Sequence, residues 1–124
     1  MLSPNRAILC LGANVPDASE RLDAAATMLG ICGTILRSTP KYLTAPEYAG
    51  DSAPYLNRII ELGTILDIDT IRRRTKRYQT DVRAKADCAP LVAVDIDIVL
   101  WNGEVLRPAD AAANYFRSGM TMLK

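Results

Sequence analysis

Residues 92–98 read Val92-Ala93-Val94-Asp95-Ile96-Asp97-Ile98, and Val99 and Leu100 follow them; the way this stretch is read decides the fold. Taken as a β-strand, it sends successive side chains to opposite faces. Val92, Val94, Ile96, Ile98 and Leu100 then make one wholly apolar face, and Asp95 and Asp97 project together from the other. At a rise of about 3.3 Å per residue the two carboxylates stand roughly 7 Å apart. A strand with such an apolar face is packed against something, and two like charges on it repel and lose hydration. A positive partner is therefore expected between them. A divalent metal holding phosphate oxygens is the sharpest candidate. The plain alternative has both carboxylates facing water from the open side of a sheet.

The rest of the composition narrows the chemistry. A chain of 124 residues suits a single domain over 1–124, and a hydrophobic content of 49% is enough for a real core and too high for a disordered chain. No apolar run approaches the ~20 residues of a membrane span, so no membrane partner is expected, and no signal peptide is visible. The cysteines, Cys10, Cys32 and Cys88, are odd in number and lack a Cys-x-x-Cys spacing, and the chain has no histidine. Those facts argue against a zinc site and against Ser-His-Asp or Cys-His nucleophiles. Reduced thiols in a cytoplasmic protein are the expectation. The net charge of +1 is unevenly spread, with Arg72, Arg73, Arg74, Lys76, Arg77, Arg83 and Lys85 crowded into one segment.

Working outward from the central stretch, residues 6–11 read as a first strand ending at a Gly12-Ala13-Asn14 turn signal. A helix starts near Pro16 or Asp17, keeps Leu22, Ala25, Ala26 and Leu29 at helical spacing, and ends at Gly30 or Gly33. Residues 34–44 read as one strand with an edge or bulge at Pro40. Residues 45–54 form a loop, expected to be mobile with residues 84–90, and residues 55–66 a third strand. Asp69 or Thr70 is expected to cap a second helix running to about Ala86, with Ile71, Thr75, Tyr78 and Val82 as its buried stripe. After a break at residues 88–90 comes the Asp-x-Asp strand. Asn102-Gly103 is a hairpin turn, Arg107-Pro108 ends that hairpin, and an Ala-rich tail is helical in part. The order β-α-β-β-α-β is the ferredoxin-like plan of an α+β protein. It puts an antiparallel sheet under two helices on one face and leaves the other face free for the Asp95/Asp97 site.

Four landmarks carry a family resemblance: Leu11-Gly12-Ala13-Asn14, Tyr42-Leu43-Thr44-Ala45-Pro46, Tyr55-Leu56-Asn57 and Asp95-Ile96-Asp97-Ile98. In that order and at similar spacings, over residues from about 6 to 105, the chain resembles the 6-hydroxymethyl-7,8-dihydropterin pyrophosphokinases of folate biosynthesis. The resemblance implies transfer of pyrophosphate from ATP to a pterin. It implies that Asp95 and Asp97 hold two Mg2+ ions and that Thr44, Pro46, Tyr55 and Asn57 line the pterin pocket. The residue types agree, since Asn57 offers the donors and the acceptor a pterin edge needs and Tyr55 offers an aromatic face. By the same resemblance Arg83 is nearest to a catalytic arginine of the second helix, and Lys85, Tyr115 and Arg117 are candidate ATP contacts.

This chain departs from the family pattern at several points. Ala89-Pro90-Leu91 stands where the family has Gly-Pro-Arg, with a segment one residue longer before the Asp-x-Asp, and Val82 stands where a glycine precedes Arg83. Asn114-Tyr115 and Arg117 stand in for a Pro-His and a later arginine. A relative that binds nucleotide or pterin without transfer is therefore the second reading. A third, a nucleic-acid-binding module suggested by the basic helix, ranks below both. Phe116 and Trp101 are too few aromatics for an RNA-binding sheet, and unneutralised carboxylates repel a phosphate backbone.

Overall fold

The computed structural model describes residues 4–45 and 53–123, so Pro46 and most of the 45–54 loop lie outside the described residues. The chain runs β1 (Asn5–Ala13), α1 (Ala18–Cys32), β2 (Thr34–Ser38), β3 (Tyr42–Thr44), β4 (Tyr55–Thr64), α2 (Ile68–Ala86), β5 (Asp95–Trp101), β6 (Glu104–Val105), α3 (Pro108–Ala112) and α4 (Asn114–Met122). The sheet is antiparallel throughout, in the order β2-β4-β1-β5-β6, with β3 also paired to β4. This is the expected ferredoxin-like α+β plan, with the first and third strands of the plan side by side at the centre.

Period-2 and period-3.6 patterns meet in one core. Leu9 and Leu11 of β1, Ile60 and Leu62 of β4, and Val94, Ile96 and Ile98 at and before β5 form one apolar surface. Leu22, Ala25 and Leu29 of α1 and Ile71 of α2 press on it, with Tyr78 and Val82 partly buried alongside. Both long helices therefore share one face, as the alternation demands. Most of these side chains are fully buried, and burying each contributes roughly 1.5–3 kcal/mol.

Five expectations need correction. Asp67 caps α2, its side chain accepting from the Thr70 amide at 2.8 Å, two or three residues earlier than Asp69 or Thr70. Asp-x-x-Thr places the acceptor three residues before the amide it satisfies, whereas apolar spacing shows only where the helix must already exist. The 34–44 strand is broken into β2 and β3, because Pro40 has no amide for the ladder and Thr39 turns inward to bond Ile59. The first strand continues through Gly12 and Ala13, since β4 pairs with it as far as Leu56. A register shift in the β1–β5 ladder between Ile8 and Leu9 leaves Val99 as an extra residue. The alternation therefore slips after Val99, and Leu100 joins the face that Val99 shares with the two carboxylates. That face is not free either: Phe116 and Leu123 close over Ile8, Cys10, Ile59 and Val99. The docking is close. A Cβ on Gly119 would overlap the Tyr42 hydroxyl and Ile59 Cδ1, and Tyr42 donates to the Tyr115 carbonyl at 2.8 Å. The Asp-bearing end of the same face stays open.

Candidate active site

The floor of the site follows from strand register. Residues opposite each other on neighbouring strands share a face. Asn57, Gly12 and Asp95 therefore form one row, and Ile59, Cys10 and Asp97 the next. Gly12 leaves the middle of its row bare, since a Cβ there would lie 3.3 Å from Asn57 Oδ1 and 3.7 Å from Tyr55 Cδ1. The result is a cleft of about 380 Å³ with Thr44, Tyr55 and Asn57 on one wall and Asp95, Asp97, Arg107 and Asp110 on the other, and Tyr115 at its rim. A second cleft, of about 330 Å³, opens on the other side of Asp97 and Arg107, lined by Arg72, Thr75, Lys76 and Gln79 of α2. Asp97 and Arg107 line both.

Hydrogen bonds hold these walls. Asn57 is buried and donates from Nδ2 to Thr44 Oγ1 at 2.7 Å, which fixes the amide and leaves Oδ1 toward the floor. Gln79 Oε1 accepts from the Ile96 amide at 2.9 Å, between the two carboxylates. Arg83, one turn further along α2, donates from Nε to the Val94 carbonyl at 3.3 Å and from Nη2 to Asp95 Oδ1 at 2.6 Å. Asn14, from the Leu-Gly-Ala-Asn landmark, exchanges bonds with both backbone polar groups of Val92 and so ties the run-in of β5 to the end of β1. Arg107 Nη2 stands 3.6 Å from Asp97 Oδ1, and its Nε donates to Asp110 Oδ2 at 2.5 Å. The Tyr115 hydroxyl donates to the other oxygen of Asp110.

Electrostatics single out the carboxylate pair. Burial pushes Asp97 up to about 6, the Asp95 charge adds to this, and Arg107 pulls against it. Burial likewise holds Asp95 above the usual carboxylate range, with Arg83 and Arg107 opposing. Desolvation and repulsion outweigh the cations already present. The Cys10 thiol beneath is pushed up to about 12, first by burial and then by the carboxylates, and stays neutral at physiological pH. The expected positive partners are thus present as Arg83 and Arg107, and the net imbalance still favours a further cation.

Among the described residues no group of three or more His, Cys, Asp or Glu could hold a metal ion. Asp95 and Asp97 alone supply two hard oxygen donors with an excess of negative charge. That set fits Mg2+, which takes one or two carboxylates and fills its remaining positions with water and substrate phosphate. It does not fit zinc, which takes three or four nitrogen, sulfur or carboxylate ligands.

The 7,8-dihydro-6-hydroxymethylpterin-pyrophosphokinase family model matches residues 8–121, which is nearly the whole chain. The chain belongs to that family. Its members are pterin pyrophosphokinases of folate biosynthesis that generally use ATP and Mg2+. No curated protein matches the chain. Among the described residues no helix is long and apolar enough to cross a membrane.

Of the residues singled out in the sequence, the fold brings Thr44, Tyr55, Asn57, Asp95, Asp97 and Tyr115 around one cleft, with Arg83 bonded to its edge. Lys85 and Arg117 are exposed and line neither cleft. Pro46 lies outside the described residues. Sequence reading missed Gln79, Arg107 and Asp110. Gln79 was findable, because it shares the i, i+4 face of α2 with Thr75 and Arg83. Arg107 and Asp110 read only as a hairpin end and a tail.

Proposed function

We propose that this protein transfers the pyrophosphoryl group of ATP to the hydroxymethyl oxygen of 6-hydroxymethyl-7,8-dihydropterin, with Mg2+ required. The observation that carries this reading is one cleft with an amide wall for a heterocycle at Asn57, Thr44 and Tyr55, facing a carboxylate wall at Asp95 and Asp97. Within this reading Asn57 Oδ1 accepts from the polar edge of the pterin while Nδ2 stays on Thr44, Tyr55 offers its ring, and Gly12 leaves room between them and the phosphates. The α2 cleft takes the nucleotide, with Arg72 and Lys76 near its phosphates. Asp95 and Asp97 hold Mg2+, two ions by the family resemblance; bound there, the metal neutralises the triphosphate and eases departure of AMP.

The transfer balances simply. The hydroxymethyl oxygen bonds to the β-phosphorus, the bond from that phosphorus to the α–β bridging oxygen breaks, and AMP leaves with the electron pair. The hydroxyl proton passes to solvent. The protein is asked mainly to position the two substrates and to balance charge. Arg83, bonded to Asp95, is the catalytic candidate on α2. Tyr115 sits at the rim for the nucleotide or its product.

A second reading, binding without transfer, is favoured by Leu91, which stands where the family carries arginine, and by the absence of histidine. One experiment separates the two. The protein is incubated with ATP, Mg2+ and the hydroxymethyl-dihydropterin, AMP is followed by chromatography, and a non-hydrolysable ATP analogue is titrated calorimetrically. AMP formation that Asp97→Ala abolishes supports transfer. Pterin and nucleotide binding with no AMP at high protein concentration refutes it in favour of the second reading.

A further inference from the structure

We propose that Arg107 is the phosphate-binding cation at the junction of the two clefts, and that Asp110 is the residue that positions it. This rests on the pyrophosphokinase reading and adds residues that reading does not need. Among the described residues only Arg107 and Asp97 line both clefts. A group passing from a nucleotide in one cleft to an acceptor in the other crosses that shared wall, carrying charge. A guanidinium suits the position, because its planar fork pairs with two phosphate oxygens at once.

The geometry separates a held side from an offered side. Nε of Arg107 is committed to Asp110 Oδ2, and Asp110 is itself steadied by the Tyr115 hydroxyl from α4. Arg107 precedes Pro108, the first residue of α3. Asp110 follows three residues later, one helical turn on, where its carboxylate reaches back. Toward Asp97 the guanidinium makes only a 3.6 Å approach, beyond hydrogen-bond distance. An incoming phosphate can therefore take the Nη donors without breaking a bond already made. An arginine that merely capped α3 would be bonded to Asp110 in the same way, but it would not need to line either cleft.

The test uses inorganic tripolyphosphate without metal, a non-hydrolysable ATP analogue with Mg2+, and the pterin, each titrated calorimetrically, together with AMP turnover. Arg107→Ala is expected to weaken both phosphate ligands about tenfold or more and to leave pterin affinity within roughly twofold. Turnover is expected to fall roughly a hundredfold. Arg107→Lys should recover binding in part and turnover little, since a point charge replaces the fork. Asp110→Asn should lower kcat with little change in KM for ATP, and Asp110→Glu should recover part of it. Arg73→Ala, on the outer face of α2, should change nothing.

Parent-like phosphate affinity in Arg107→Ala overturns the assignment, and so does an equal loss of pterin binding, which would mean a collapsed cleft. Failure of the parent to bind tripolyphosphate overturns it too. Equal losses of kcat and thermal stability in Asp110→Asn, unrelieved by Asp110→Glu, overturn the positioning role. A parent that forms no AMP, yet binds tripolyphosphate through Arg107, refutes the pyrophosphokinase reading and upholds the phosphate site.

Discussion

Replacing Asp97 with Asn should make the metal-free protein more stable at neutral pH while removing one of the two carboxylates proposed to hold Mg2+. Asp97 is pushed from an ordinary 3.8 to about 6, chiefly by burial and then by Asp95. An acid whose folded pKa is raised binds its proton more tightly in the folded state. Its contribution to stability is therefore full below about pH 4 and is lost as pH rises through about 6. Each pH unit is worth about 1.4 kcal/mol, so the ceiling is about 3 kcal/mol. The side chain is 28% exposed, and water screens part of the effect, leaving ~1–2 kcal/mol. Asn is neutral at every pH and has nearly the same shape. The 3.6 Å approach to Arg107 that it gives up is already counted in that shift, since Arg107 pulls it down. At pH 8 in chelator, Asp97→Asn should melt roughly 4–8 °C above the parent, and at pH 4 the gain should vanish. Circular-dichroism melts at pH 4, 6 and 8 measure this. A variant no more stable than the parent at pH 8, or a gain that ignores pH, refutes the claim that desolvation and repulsion outweigh the arginines here.

Further outcomes follow from the same geometry. Arg83→Ala removes the cation 2.6 Å from Asp95; in AMP assays it should slow transfer more than Arg73→Ala, and equal rates would count against Arg83. Asn57→Ala should weaken pterin binding about tenfold or more by titration and cost about 1 kcal/mol of stability, through the lost bond to Thr44. Gly119→Ala should cost about 1–3 kcal/mol in urea unfolding, because its methyl meets the Tyr42 hydroxyl and Ile59. Leu9→Ala, at the centre of the core, should cost about 2–5 kcal/mol, and a smaller loss would mean that the strand is less tightly covered than its burial indicates.

Local pattern carried much of the fold. Alternation in β1, β4 and residues 94–98 named the buried residues Leu9, Leu11, Ile60, Leu62, Val94, Ile96 and Ile98 without any knowledge of their partners. The hairpin at Asn102-Gly103 was legible too, since both residues adopt positive φ there, as that dipeptide favours. Leu100 was misplaced because a bulge belongs to a pair of strands: no feature of residues 95–101 alone says that Val99 has no partner on β1. The covering of the second face was missed for a related reason. Phe116 and Gly119 show helical spacing, but which surface α4 lies on depends on the shape of Ile59 and Tyr42 across the sheet.

The sequence by itself determined that Asp95 and Asp97 share a face, that two helices must cover the opposite one, and that Asn57 and Thr44 belong to the same enzyme family pattern. All of these are short-range or periodic facts, set by backbone stereochemistry and apolar spacing. Only the tertiary structure decided that Arg83 meets Asp95, that Gln79 bonds between the carboxylates, and that Arg107, held by Asp110 and Tyr115, stands where two clefts join. Those contacts join residues whose neighbourhood depends on how helices and strands pack. A charged side chain on a helix or at a hairpin's end looks the same in sequence whether it faces water or a carboxylate.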